Sequence, residues 1–242
     1  METAGRVLLV DPMLDEVGAR PAVAGTANDR RNPLVPLPIP VADVVDGVDA
    51  VLVTHLHADH LDGAAVSALP ASLPLICQEE DAAQLSSCGF TDLRPVMAGE
   101  PVVFDDLSIT RTPARHGRGE LGEKMAPASG FVLAAEGEPK LYVAGDSIWS
   151  NEVAEAISRH QPDVTVVNAG AAQFLEGGPI TMDAADVCDI AQGVPSTQVV
   201  AVHMEAINHC LLSRDDLQAK LASLGLAAWV RIPDDGEELA FD

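Results

Sequence analysis

The chain has 242 residues, 48% of them hydrophobic, which is enough apolar material for a sizeable core, and its 37 Asp and Glu against 14 Lys and Arg give a formal charge of −23. Binding of nucleic acid needs cations to neutralise phosphates, and an anionic bilayer repels a surface of this sign, so both partner classes are disfavoured. A small-molecule substrate is the expected partner.

In chain order, short β-branched or alternating runs predict strands at Arg6–Val10, Asp49–Val53, Leu73–Cys77, Val102–Phe104, Leu107–Thr112, Gly130–Ala134, Lys140–Val143, Asp163–Val167, Thr197–Val202 and Ala228–Ile232. Helices are predicted at Gly63–Leu69, Glu79–Ser87, Asn151–His160, Asp183–Gln192 and Arg214–Leu224, the last with Ser213 as N-cap and Asp216 three residues on. Between Asp11 and Asp43 no periodic segment survives, and Pro12, Pro21, Pro33, Pro36, Pro38 and Pro40 punctuate the stretch. A long structureless segment is more often a functional loop than a spacer, so it reads as a lid or wall of a substrate pocket. Its Arg30 and Arg31 are candidate holders of an anionic substrate group, with pairing to the chain's own carboxylates as the alternative.

The run Thr54-His55-Leu56-His57-Ala58-Asp59-His60-Leu61-Asp62-Gly63 gathers three of the seven histidines directly after the strand ending at Val53. On an extended backbone residues two apart share a face, so His55 and His57 can present imidazoles to one ion. Asp59 and His60 follow where the chain turns into a helix and can face a neighbouring position. One segment can thus serve two metals. Four ligand-type residues in six positions make surface or core histidines the weaker reading.

This run resembles the metallo-β-lactamase superfamily, whose signature is His-x-His-x-Asp-His after a strand. The resemblance implies a further histidine, then an aspartate after a strand, then a last histidine, and His116, Asp146 and His203 stand in that order at strand ends. It further implies that His55, His57 and His116 hold a first metal, that Asp59, His60 and His203 hold a second, and that Asp146 bridges them. The implied fold is α/β, an αββα sandwich of two mixed sheets with outer helices. Nothing like a linker divides residues 1–242, and ligands spanning 55 to 203 argue for a single domain.

Imidazole and carboxylate donors suit two divalent metal ions, zinc first, with manganese or iron as alternatives. Two cations roughly 3.5–4 Å apart can share a hydroxide that attacks a carbonyl or phosphoryl group, and no serine or cysteine nucleophile is then required. Asp59 is placed to orient that hydroxide and is read as catalytic as well as ligating. The expected function is a dinuclear hydrolase of a small lactone, ester or amide, because Asp11-Pro12-Met13-Leu14 and Pro179-Ile180-Thr181-Met182 look like the branch holding the ascorbate-6-phosphate lactonase group. One alternative is a phosphodiesterase, for which Arg30, Arg31 and Arg115 are the obvious cations. A catalytically silent binding or regulatory module is another, but a complete ligand set argues against it. The diiron oxygen-reducing relatives usually carry glutamate where this chain has His57, which places a redox reading last.

After His203, Glu205 and Asn208 are candidate substrate contacts or groups that orient the ligand rings. His209 is a candidate acid or base, with a turn-packing histidine as the alternative. His160 at a helix end suits the helix dipole, and Arg115, Arg118 and Lys124 read as solvated charge. Superfamily members generally begin with an edge strand before the one matching Arg6–Val10, whereas only Met1 to Gly5 precede it here. Either that strand is absent or the numbering starts late, and an uncovered edge could pair with a second copy, giving a homo-oligomer. Cys77, Cys88, Cys188 and Cys210 have no Cys-x-x-Cys spacing and read as reduced thiols. With no signal-peptide pattern and no membrane-length run, a cytoplasmic location is expected.

Overall fold

The structure, a computed structural model, describes residues 1–125 and 127–241. Two sheets face one another. The first has five strands in the order β1 (Glu2–Thr3), β2 (Arg6–Val10), β3 (Ala50–Val53), β4 (Leu75–Gln78) and β5 (Leu93–Val96), parallel except for β1. The second has seven: β6 (Val102–Phe104), β7 (Leu107–Pro113) and β8 (Ser129–Ala134) pair antiparallel, then β9 (Leu141–Val143), β10 (Val164–Asn168), β11 (Gln198–Val202) and β12 (Val230–Arg231) run parallel, and β8 joins β9 antiparallel. Both sheets are mixed, as expected.

Period-two alternation decides which side chains lie between the sheets. Ala50 and Leu52 of β3, Ile76 of β4, Phe131 and Leu133 of β8, Leu141 and Val143 of β9 and Val164 of β10 share one buried cluster. Their neighbours point the other way. Val51, Val53, Leu75 and Cys77 pack outward with α2 (Gly63–Ala68) and α3 (Ala82–Ser87). Val132, Tyr142, Val167, Val199 and Ala201 pack outward with α5 (Asn151–His160), α6 (Ala184–Gly193) and α7 (Arg214–Ser223). Three apolar layers between four structural layers give the αββα sandwich. Among the described residues, no helix is long and apolar enough to cross a membrane.

Several differences from the sequence reading have local causes. The edge strand exists, but as two residues: Glu2 pairs with Val7 and Thr3 with Arg6. β5 carries no strand signature in the sequence because Leu-Arg-Pro-Val contains a proline, which is tolerated there because β5 is a sheet edge. Two further short helices, α1 (Val41–Val45) and α4 (Gly119–Met125), have no buried residues and hence no apolar face to read. Lys140 Nζ, not the His160 ring, supplies the cation at the end of α5, donating to the His160 carbonyl at 2.6 Å. Burial and the nearby cations Arg159 and Lys140 push the His160 imidazole below its ordinary value.

Candidate metal centre

Every candidate ligand stands on a segment that leaves the C-terminal end of a strand: 54–60 after β3, His116 after β7, Asp146 after β9 and His203 after β11. Parallel packing of β9, β10 and β11, with β7 in the same sense, brings these ends to one rim, where open α/β sheets present ligand sites. Gly145 makes the turn into Asp146. Its φ is +63°, and a Cβ there would meet the Ser129 carbonyl oxygen at 2.5 Å, so no side chain fits.

Two groups of ligand atoms form at this rim, His55, His57, His116 and Asp146 in one and Asp59, His60, Asp146 and His203 in the other, each with its atoms within 4.8 Å of one another. His57 Nδ1 lies 2.8 Å from His55 Nε2 and 3.3 Å from His116 Nε2. Asp146 Oδ2 lies 3.9 Å from His55 Nε2, 3.4 Å from His116 Nε2 and 3.3 Å from His60 Nε2, while its Oδ1 lies 4.0 Å from His203 Nε2. Asp59 Oδ2 is 3.5 Å from His203 Nε2. All seven sequence-predicted ligands are therefore brought together, and Asp146 belongs to both groups.

The surroundings decide which ring nitrogens face the centre. His116 Nδ1 donates to the Ile180 carbonyl at 2.9 Å, since a carbonyl only accepts. His60 Nδ1 donates to Asp11 Oδ2 at 2.8 Å. Each ring then turns its Nε2 inward, the arrangement that outer partners impose on metal-ligating histidines. Asp11 also accepts from Thr54 N and Thr54 Oγ1, both at 2.7 Å, so it pins the start of the ligand run as well. Asn168 Nδ2 donates to Asp146 Oδ1 at 2.7 Å, and His203 Nδ1 lies 3.6 Å from Cys210 Sγ.

Electrostatics agree with a cation site. Burial opposes charge on His60, but the Asp146 and Asp11 carboxylates outweigh it and hold the imidazole well above its ordinary range. Burial likewise opposes charge on Asp146, yet His60, His203 and His116 hold its carboxyl well below the usual value. His55, buried among other imidazoles, is pushed well down. Nε2 of His60 and of His203 are buried with no hydrogen-bond partner. Buried imidazoles and ionised carboxylates converging around orphaned nitrogens fit divalent metal ions.

A cavity of about 240 Å³ opens on the centre. Arg20, His57, Asp146 and His209 line its polar side, and Val23, Phe174, Ile180 and Ile207 its apolar side. A second cleft, of about 410 Å³, is walled by Leu8, Val10, Val166 and Val202 and reaches Asp59, His60 and His203 from the other flank. His209, the candidate acid or base, lines the smaller cavity. Its Nδ1 is buried and unpartnered, and burial pushes the imidazole below its ordinary value, which favours the neutral form.

Other sequence candidates lie elsewhere. Arg30 is exposed, and Arg31 donates to the carbonyls of Gly18 and Ala19 at 2.7 and 3.0 Å, so neither lines the cavity. The loop does form a wall, but through Arg20 and Val23. Glu205 accepts from Arg214 Nη1 at 2.6 Å. Asn208 is buried and spends its amide on the loop, accepting from Val23 N and Asn32 Nδ2 and donating to Thr26 Oγ1. Arg115 pairs with Glu152 and Arg118 with Asp186. Sequence reasoning missed Arg20, Asp11 and Asn168. Asp11 alone had a legible signal, a carboxylate ending the strand that neighbours the ligand-bearing one.

Residues 6–204 match the β-lactamase superfamily domain. The chain belongs to the metallo-β-lactamase superfamily. Among members of that superfamily, the chain is 37% identical over 241 residues to the UPF0173 protein YddR of Bacillus subtilis, covering 98% of this chain and 94% of the relative. It is 28% identical to a UPF0173 metal-dependent hydrolase of Azorhizobium caulinodans, covering 98% and 93%. The crystal structure of isothiocyanate hydrolase from Delia radicum gut bacteria superposes with a TM-score of 0.93 at 38% identity, covering 100% of this chain and 95% of that one. The chain is a metal-dependent hydrolase of this superfamily.

Proposed function

We propose that this hydrolase adds water, at a two-cation centre, to the electrophilic carbon of a small and largely apolar substrate, with isothiocyanates as the favoured class. The observation that carries the reading is Asp146, shared by two ligand groups at the mouth of a cavity whose remaining walls are mostly apolar. The similarity to an isothiocyanate hydrolase over the whole chain supports the substrate class.

His55, His57 and His116 would hold one ion, Asp59, His60 and His203 the other, with Asp146 between them; zinc suits this donor set. Such ions, when bound, supply an activated water and polarise the scissile group. Asp59, ionised and beside both groups, accepts a hydrogen bond from the attacking water and orients it. Phe174, Ile180 and Ile207 exclude bulk water and hold the apolar part of the substrate. His209, neutral and facing the same cavity, takes one proton of the water and returns it to the leaving nitrogen. For an isothiocyanate, one water is consumed, the C–N bond breaks after water has added to carbon, and an amine and carbonyl sulfide leave.

Lactones, esters and amides undergo the same attack at carbon and form the second reading. A phosphodiester is the weaker reading because, apart from the ligand residues, Arg20 and His209, the cavity is lined by apolar side chains, and Arg30, Arg31 and Arg115 all lie away from it. The test is a panel run with metal-loaded protein: benzyl isothiocyanate, a γ-lactone, a phenyl ester, an anilide and a phosphodiester, with His57→Ala as control. Amine release from the isothiocyanate, lost in the variant, is the expected result. Turnover of the phosphodiester alone would overturn the reading.

A further inference from the structure

Among the described residues, the buried side-chain nitrogens without a hydrogen-bond partner are those of Arg20, His60, His203, His209 and Gln198. All but Gln198 belong to the rim of the metal centre or its cavity. Bound cations account for His60 and His203, whose Nε2 lone pairs face the centre. They cannot account for Arg20, because a guanidinium only donates and is never a ligand to a cation. Its buried Nη2 has no acceptor, and Nε, although 2.7 Å from Asp15 Oδ2, is not aligned with it for a hydrogen bond.

This side chain is held in place from two directions. Arg20 N donates to the Asn32 carbonyl at 2.8 Å and Asn32 N returns the bond at 2.9 Å. Asn32 is fixed in turn by Asn208, which sits next to His209. Asp15, the ion-pair partner of Arg20, donates its backbone N to Asp62 Oδ2 at 2.7 Å, at the end of the ligand run. Arg20 is therefore tied to two of the four ligand-bearing segments, those after β3 and β11, and lines the cavity with donor capacity to spare. The side chain is 24% exposed, so Nε and Nη2 are free to meet an acceptor that enters the cavity.

We propose that Arg20 is a substrate-binding residue that holds the heteroatom next to the attacked carbon, where negative charge is carried or develops, so that the enzyme selects substrates whose hydrolysis passes through an anion. The nature of that anion rests on the isothiocyanate reading. Addition of hydroxide to R–N=C=S forms a C–O bond, moves an electron pair onto sulfur, and shifts the proton to nitrogen, giving the thiocarbamate R–NH–C(=O)–S⁻. Arg20 meets that terminal charge, while the apolar substituent lies against Phe174 and Ile207.

The test compares an anion with its neutral twin. Metal-loaded wild type, Arg20→Met and Arg20→Lys are titrated calorimetrically with 3-phenylpropionate and with 3-phenylpropionamide, and metal content is measured in each. The expected result is a loss of about tenfold or more in affinity for the anion in Arg20→Met, as for a charge-assisted hydrogen bond, with partial recovery in Arg20→Lys. Affinity for the amide and metal content stay at wild-type levels. Equal affinity for the anion in Arg20→Met, or equal losses for anion and amide, would overturn the proposal. If Arg20→Met does not fold, Arg20→Lys carries the test alone: weaker anion binding is expected, and wild-type binding overturns it. Absence of isothiocyanate turnover alongside the expected binding pattern would remove the substrate reading and leave the role of Arg20 standing.

Discussion

Asp11 Oδ2 lies 2.8 Å from His60 Nδ1, and that contact turns the Nε2 of this candidate ligand toward the candidate metal centre. The same carboxylate receives Thr54 N and Thr54 Oγ1, so one residue fixes both the strand exit and the ring. Asp11 has a φ of +45°, a left-handed conformation that aspartate and asparagine tolerate better than most residues. Strain of this kind gathers where geometry is functionally demanding.

Asp11→Ala should weaken metal binding by about 10–100-fold, the usual effect of losing an outer partner of a ligating histidine. Asp11→Asn keeps an acceptor and the backbone preference, and so should lose much less. Competition against a chelating dye reads both directly. Equal metal affinity in the alanine variant and the wild type would show that His60 is oriented by packing alone.

Gly145 offers a steric test. An alanine there meets the Ser129 carbonyl oxygen at 2.5 Å and must adopt φ near +63°. The conformational cost is about 1–2 kcal/mol, and overpacking adds about 1–3 kcal/mol. Gly137 has φ +81° but nothing within 4 Å of the added carbon, so Gly137→Ala should show the conformational cost alone. Urea unfolding should move the midpoint much further for Gly145→Ala, with the slope unchanged.

The parts of this molecule that the sequence made legible are those governed by neighbours in the chain. The unbroken apolar run Ala50–Val53 marks a strand buried on both faces, and the strand exit fixes the spacing of His55, His57, Asp59 and His60. The parts that were not legible depend on partners far away. Asn208 and Asn32 are 176 residues apart, yet their mutual bonds decide that Arg20, and not Arg30 or Arg31, reaches the cavity. Three arginines in one proline-rich loop look alike until that tether is known. Asn208, for its part, read as a pocket residue by position, and its amide is consumed by holding the loop.

The thiols should separate by reactivity. Cys88 is exposed, whereas burial pushes the Cys77 thiol up to about 12 and raises that of Cys188 as well. All four cysteines are free. A thiolate is the reacting species, so Cys88 should be labelled first under native conditions at mildly alkaline pH and Cys77 last. Mass spectrometry of timed labelling checks the order, and denaturant should release all four at once.

Sharing of Asp146 predicts an asymmetry among ligand variants. His57 belongs to one group and His203 to the other, so His57→Ala and His203→Ala should each retain about half of the wild-type metal under conditions that saturate the intact centre. Asp146→Asn removes a charge from both groups and should lower occupancy at both. Cations that bind only the folded chain stabilise it by mass action, about 2.7 kcal/mol per site at a hundredfold excess over the dissociation constant. Thermal midpoints should therefore rise with added metal in the wild type, rise less in either histidine variant, and respond least in Asp146→Asn. Elemental analysis with parallel thermal scans distinguishes this pattern from a single-ion centre, in which His57→Ala and His203→Ala would not divide the metal between them.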